Sequence, residues 1–139
     1  MNRSLFKYST TFKARWEDID QYGHVNNIKF YSYVDSAINE FQTGVGQWDP
    51  QNSGMRFYAV TNECHFYQSI KFAEPLTVGL GIEKLGNSSV IFTSAIYVGE
   101  SEEPAAKCRS VMVAVDAQSE RPMALPEATR KAYQDYILD

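Results

Sequence analysis

Residues 15–41 read RWEDIDQYGHVNNIKFYSYVDSAINEF, and this stretch predicts the centre of the fold. Its second part, Ile28 to Phe41, repeats apolar side chains at spacings of three and four residues, which is typical of an amphipathic helix. The apolar stripe consists of Phe30, Tyr31, Val34, Ala37, Ile38 and Phe41. A helix of this length crosses a small domain, so we expect the rest of the chain to pack around it.

The first part of the stretch, from Arg15 to Asn27, is polar and turn-like. Two carboxylates, Asp18 and Asp20, come shortly before the predicted start of the helix. A helix N-terminus offers unpaired N–H groups and a partial positive charge. A carboxylate beside such donors is suited to attack on a carbonyl group whose oxygen becomes negative. The residues also allow a simpler interpretation, in which both aspartates only cap turns.

Alternating and continuous apolar runs predict five strands around this helix. They cover Leu5–Trp16, Phe57–Ile70, Leu76–Leu85, Ser88–Val98 and Ala105–Asp116, and a short helix follows Pro126. Tight turns between successive strands favour antiparallel pairing, and hence an α+β domain. Gly79 and Gly81 leave one face of their strand bare, which indicates strong bending or a close neighbour such as a ligand or a partner subunit.

Composition restricts the function. The chain has 139 residues, enough for one domain, and a net charge of −4, which argues against nucleic-acid binding. Its two cysteines and two histidines are not clustered, so no metal site is expected. We found neither an apolar leader nor a membrane-length apolar run, and therefore expect no membrane association. The default prediction is a cytoplasmic protein in which Cys64 and Cys108 are reduced thiols.

The pattern D-x-D-x-x-G-H-V-N-N, followed by an aromatic-rich helix, resembles the signature of the 4-hydroxybenzoyl-CoA thioesterase-like branch of the hotdog fold. The matching residues are Asp18, Asp20, Gly23, His24, Val25, Asn26 and Asn27. Residues 66–74, FYQSIKFAE, are similar to a strand-and-turn segment of that family, with Ser69 in place of its usual proline. Residues 86–89, GNSS, resemble its hairpin turn. The resemblance therefore extends over nearly the whole chain.

The resemblance implies a single hotdog domain over residues 1–139, in which an antiparallel sheet of about five strands wraps around a long central helix and a short helix ends the chain. It implies hydrolysis of acyl-CoA thioesters without a cofactor. Asp20 corresponds to the catalytic carboxylate, acting as nucleophile or as general base, and Gly23, His24 and Asn26 are the expected substrate-binding residues. The family's active sites lie at subunit interfaces, so a homodimer or homotetramer is expected.

Two other functions fit parts of the sequence. Some hotdog enzymes hydrate enoyl-CoA with an Asp/His pair, and Asp20 with His24 resembles such a pair, although the spacing differs. A hotdog domain can also bind acyl-CoA as a sensor without turnover. Thiol release from acyl-CoA distinguishes hydrolysis from both alternatives.

Overall fold

The computed structural model describes residues 2–139 and shows a five-stranded sheet with two helices. The elements in chain order are β1 (Tyr8–Lys13), α1 (Asn27–Gly44), β2 (Met55–Phe66), β3 (Pro75–Leu85), β4 (Ser89–Val98), β5 (Pro104–Asp116) and α2 (Glu127–Gln134). Two short 3-10 helices, Arg3–Leu5 and Trp16–Asp18, flank β1. The predicted α+β class and element order are therefore confirmed.

All neighbouring strands in the sheet are antiparallel, in the order β1-β3-β4-β5-β2. The inner face of the sheet wraps around α1, whose apolar stripe is buried as predicted except at Tyr31, which is exposed, while Tyr33 is buried in addition. Ala37 lies on this stripe between Val34 and Phe41 and is fully buried. Phe41 packs edge-on against Phe92 of β4, which links the helix to the middle of the sheet. This is the helix-in-sheet arrangement that the resemblance implied.

The outer face of β3 shows what the two bare glycines accommodate. A Cβ atom at Gly79 would lie 2.5 Å from the ring of Phe6, and one at Gly81 would lie 2.5 Å from the side chain of Leu138. The two ends of the chain thus cover these glycines, since Leu138 also donates its N–H to Ile82 at 2.8 Å. The close neighbour predicted from the glycines belongs to the same chain, so the glycines give no evidence for a partner subunit.

Strand β2 forms one edge of the sheet and begins at Met55, two residues before the predicted start at Phe57. It ends at Phe66 rather than Ile70, because the N–H groups of Tyr67 and Gln68 both turn to the oxygen of Ala105. It also contains a bulge between Ala59 and Thr61. Beyond β2, Ile70 is buried and its oxygen accepts a bond from another loop, so the four residues after the strand form a connector rather than a continuation.

The prediction of reduced thiols was wrong for this structure. Cys64 of β2 and Cys108 of β5 lie directly opposite each other in the strand register and form a disulfide. The cysteines are 44 residues apart in sequence, and only the pairing of β2 with β5 brings them together. Among residues 2–139, no helix is long and apolar enough to cross a membrane.

Candidate active site

A cavity of about 420 Å³ lies where the loop before α1 meets the segment after β2. Its wall is formed by polar residues of the loop and by aromatic residues from both segments. The lining residues are Asp20, Tyr22, His24, Val25, Asn27, Phe30, Phe66, Tyr67, Gln68 and Ser69. This is also where residues 18–27, the stretch that carries the family signature, join the helix.

Backbone pairing holds the two segments together. The N–H of Val25 donates to the oxygen of Ile70 at 2.8 Å, and His24 forms an antiparallel bridge with Lys71. Within the loop, Ile19 and Val25 form a second bridge. The loop is therefore a small folded hairpin attached to the connector after β2, and the cavity lies between the two.

Asp20 is held in this hairpin by its own backbone and by one carboxylate oxygen. Its N–H donates to the backbone oxygen of His24 at 2.8 Å, and its backbone oxygen accepts from the N–H of Gly23 at 3.1 Å. Oδ1 accepts from the N–H groups of Tyr22 at 2.9 Å and His24 at 3.3 Å. Among residues 2–139, no hydrogen bond reaches Oδ2. The carboxylate is thus fixed through Oδ1 and retains Oδ2 for a ligand.

The N-terminus of α1 borders the same cavity. Asn26 is the N-cap, and its Oδ1 accepts from the N–H of Ile28 at 3.1 Å. Asn27, the first helical residue, lines the cavity, and its N–H has no backbone acceptor among residues 2–139. An unpaired N–H at the positive end of a helix is suited to bind a carbonyl oxygen that gains negative charge.

Asp18 fixes the base of the loop and is almost completely buried. Its Oδ2 accepts from the hydroxyl of Tyr33 on α1 at 2.7 Å and from the N–H of Arg15 at 3.0 Å. Nζ of Lys29 lies 3.7 Å from Oδ1. The backbone oxygen of Asp18 accepts a hydrogen bond from the N–H of Asn26 at 2.8 Å. Burial alone would raise the pKa of the Asp18 carboxyl. The hydrogen bonds from Tyr33 and from the N–H of Arg15, together with the positive charges of Lys29 and Arg15, instead hold this pKa below its usual value.

Gly23 and His24 complete the turn by which the hairpin reverses direction. Gly23 has a φ of +80°, a conformation that favours glycine, and a Cβ atom there would meet nothing within 4 Å. His24 is half-buried and bonds Asp20 only through its backbone. Glycine is thus favoured here by the backbone conformation rather than by close approach of a neighbour, and His24 is one of the residues that line the cavity.

The structure brings two of the four predicted site residues into the cavity. Asp20 and His24 line it, whereas Gly23 shapes the turn behind it and Asn26 acts as the helix cap. Glu63 and His65, which share one face of β2, do not line this cavity; they line a separate depression on the outer face of the sheet, where Arg109 lies 3.9 Å from Glu63.

The aromatic wall was not predicted from the sequence. Phe30 is buried and packs edge-on against Phe66, with ring centres 5.1 Å apart, and Tyr31 contacts the same ring at 6.3 Å. Phe66 keeps 41% of its surface exposed and Tyr67 keeps 55%. The only hint in the sequence was the similarity of residues 66–74 to the family segment, because nothing local shows where β2 ends.

Comparison with known proteins shows the family of the chain. A model of the thioesterase-like superfamily matches residues 14–133. The crystal structure of the PA5185 protein from Pseudomonas aeruginosa strain PAO1 superimposes with a TM-score of 0.95 at 31% sequence identity, over 99% of this chain and 96% of that chain. No curated protein matches the sequence significantly.

Two more distant structures share the fold. SAV2348 from Staphylococcus aureus, solved in complex with CoA, has a TM-score of 0.86 at 16% identity, over 93% of this chain and 82% of that chain. Slr0204 from Synechocystis, a 1,4-dihydroxy-2-naphthoyl-CoA thioesterase, has a TM-score of 0.83 at 17% identity, over 92% and 96%. Since the family model covers residues 14–133 and a structure that is 31% identical covers 99% of this chain, the chain belongs to the thioesterase-like superfamily.

Proposed function

We propose that this protein hydrolyses acyl-CoA thioesters to the free acid and CoA, with Asp20 as the catalytic carboxylate. The observation that carries the proposal is the placement of Asp20 and of Asn27, the first residue of α1, on one cavity, with Oδ2 of Asp20 not hydrogen-bonded within the described chain. Membership of the thioesterase-like superfamily and the CoA complex of SAV2348 support a CoA thioester as the substrate class.

The carboxylate can act in either of two ways. As a nucleophile, Oδ2 attacks the thioester carbon, the CoA thiolate leaves, and water hydrolyses the resulting mixed anhydride. As a general base, it takes a proton from water, and the hydroxide attacks the same carbon with loss of the thiolate. In both routes the carbonyl oxygen becomes negative, and the N–H of Asn27 is the donor that this chain offers to it.

The remaining wall residues bind substrate in this proposal. The imidazole of His24 contacts the polar thioester region, and Gly23 with Asn26 holds the hairpin and the helix start in position. Phe30 and Phe66 form the apolar end of the cavity, which receives the acyl group. No cofactor takes part.

We also propose that the reaction takes place in the cytoplasm, where CoA thioesters are made and used, and cell fractionation tests this location.

We further propose that the functional unit is a homodimer or a homotetramer. Among residues 2–139, edge strand β2 pairs only with β5, and three of its large apolar side chains are exposed, of which Phe66 lines the cavity. Tyr58, Val60 and Phe66 are 38%, 60% and 41% exposed. A second copy pairing along this edge would satisfy its backbone groups and cover these side chains.

Replacement of Asp20 by asparagine tests the assignment directly. Asp20→Asn keeps the shape of the side chain but removes its charge, basicity and nucleophilicity. We expect thiol release from acyl-CoA to fall by at least about 100-fold, with folding and CoA binding nearly unchanged. The measurement is thiol release across short, long and aromatic acyl-CoAs.

Asp35→Asn is the matched control, because Asp35 is an exposed carboxylate on α1 outside the cavity. It should hydrolyse acyl-CoA at the wild-type rate. If Asp20→Asn also did so, Asp20 would not be the catalytic group. A wild-type protein that hydrates enoyl-CoA, or that binds acyl-CoA without releasing thiol, would replace the proposal by one of the two alternative functions.

A further inference from the structure

A second depression of about 300 Å³ adjoins the candidate active site on the other side of Tyr67. Its lining consists of Tyr67, Gln68, Glu103, Pro104 and Lys107. Tyr67 and Gln68 line both cavities, so the two adjoin at this pair of residues. A ligand that extends beyond the reaction cavity past Tyr67 would enter the second depression.

The end of β2 directs two consecutive rings to different places. Phe66 packs against Phe30 and Tyr31 of the helix, which is the inner side of the sheet. The ring of Tyr67 instead lies near Lys107, whose Nζ is 5.8 Å from the ring centre. This arrangement suits a substrate with an apolar end and a charged aromatic end, because one ring lies on the apolar side and the next beside a cation.

Lys107 is the only cation that lines the second depression within residues 2–139. It forms no ion pair with a carboxylate in the described chain, and its side chain is half-buried between Tyr67 and its neighbours on β5. Arg109, one step further along the same face, is already committed, since its guanidinium donates to both carboxylate oxygens of Glu83 at 3.0 and 3.1 Å. Lys107 is therefore the cation available to an anionic ligand.

We infer that this depression binds the nucleotide end of the CoA moiety, with Lys107 contacting a phosphate and Tyr67 stacking on the adenine ring or the adjacent chain. The inference rests on the proposed function, because the thioester must occupy the cavity around Asp20 for its thiol arm to pass Tyr67. A lysine ammonium is a point charge suited to phosphate, and an exposed aromatic face stacks on any base.

Glu103 provides a second, independent sign for the test. Its carboxylate lines the same depression and its hydrogen bonds with Ser101 use only its backbone, so the negative charge opposes phosphate binding without being needed for the local fold. Removal of the Lys107 charge should therefore weaken binding of CoA, and removal of the Glu103 charge should strengthen it.

The test compares Lys107→Gln, Glu103→Gln and a control, Lys84→Gln, in which an exposed lysine of β3 outside both cavities is neutralised. Each is assayed with an acyl-CoA and with the same acyl group on pantetheine, which lacks the nucleotide. Lys107→Gln should raise KM for acyl-CoA by about 3- to 10-fold, as expected for one half-exposed charge contact, with kcat and the pantetheine thioester unaffected. Glu103→Gln should lower KM for acyl-CoA, and Lys84→Gln should change neither substrate.

Equal KM effects on both substrates, or no effect of Lys107→Gln, would overturn the inference while leaving thioester hydrolysis intact. Calorimetric titration with free CoA separates it from the proposed function. Suppose that the wild type released no thiol from any acyl-CoA but bound CoA, and that Lys107→Gln bound CoA more weakly than the wild type. The proposed hydrolysis would then be wrong, and the proposed nucleotide site would be right. Absence of CoA binding by the wild type would overturn the site as well.

Discussion

Two aspartates separated by one residue have different environments, and these environments determine what each can do. Asp18 is enclosed by Tyr33, Arg15 and Lys29, whereas Asp20 is held through one oxygen and lines a cavity. A buried carboxylate with satisfied partners stabilises the loop, and a carboxylate with an available oxygen on a cavity can react. The residue scale therefore predicts opposite outcomes for the same Asp→Asn change.

Asp18→Asn should lower stability more than turnover. The amide cannot keep the charge that Tyr33, Lys29 and the N–H of Arg15 all favour, so we expect the free energy of unfolding to fall by about 1–3 kcal/mol. Hydrolysis by the protein that remains folded should fall far less than in Asp20→Asn. Urea denaturation and thiol release, measured on the same samples, check both parts. A loss of turnover equal to that of Asp20→Asn, in a fully folded variant, would contradict this division of roles.

The pKa of Asp18 gives the same prediction a pH dependence. Its folded-state pKa lies below the ordinary value of 3.8, so its contribution to stability is complete above that pH and is lost as the pH falls through the lower folded-state value. Wild type should therefore lose stability more steeply than Asp18→Asn as the pH falls below 3.8. Parallel stability curves for the two proteins would show that the charge of Asp18 contributes nothing.

At the scale of elements, local patterns predicted what is local. The apolar stripe from Phe30 to Phe41 predicted the central helix, because burial against the sheet follows helical spacing. The polar residues before this helix predicted where the candidate site begins. The end of β2 and the aromatic wall depended on the oxygen of Ala105, about 40 residues away along the chain, which takes the N–H groups of Tyr67 and Gln68. The Cys64–Cys108 bond was missed for the same reason, since only strand register makes these residues neighbours.

The disulfide yields a prediction about β2 as an element. It closes a segment that begins on the edge strand and ends on β5, with a sequence separation of 44 residues. The loop-closure entropy of a cross-link of this length contributes about 3–4 kcal/mol, so reduction should lower the free energy of unfolding by about that amount. Urea denaturation with and without reductant measures it.

The control for the disulfide is the double variant Cys64→Ala/Cys108→Ala, which lacks the cross-link and should not respond to reductant. Thiol labelling of the unfolded wild-type protein, before and after reduction, establishes that the bond is present. If wild type and the double variant responded to reductant in the same way, or if both thiols of oxidised wild type were labelled, β2 would not be cross-linked to β5.

At the scale of the whole molecule, the sheet has two edge strands: β1, beyond whose end the C-terminal segment continues the pairing with β3, and β2. The β1 side is capped by the chain itself, because Ile82 of β3 donates to Tyr136 at 2.9 Å and accepts from Leu138 at 2.8 Å beyond the end of β1. On the opposite side, β2 presents 12 residues whose outer edge has no partner strand within residues 2–139. An open edge with exposed apolar side chains favours association with a second copy.

We therefore expect light scattering to give at least twice the chain mass of 15.8 kDa at micromolar concentration.

Val60→Lys should shift the protein towards monomer, because Val60 is 60% exposed at the bulge of the open edge and a charge there opposes edge pairing. Ile137→Lys is the control, since Ile137 is 38% exposed on the capped side and should leave the mass unchanged. If Val60→Lys lowers the mass of the assembly, it should also lower the rate of thiol release. The reason is that β2 ends at Phe66 in the cavity wall, so a partner chain on this edge would border the site. A wild-type protein that is monomeric and fully active at these concentrations would show that one chain forms the whole site.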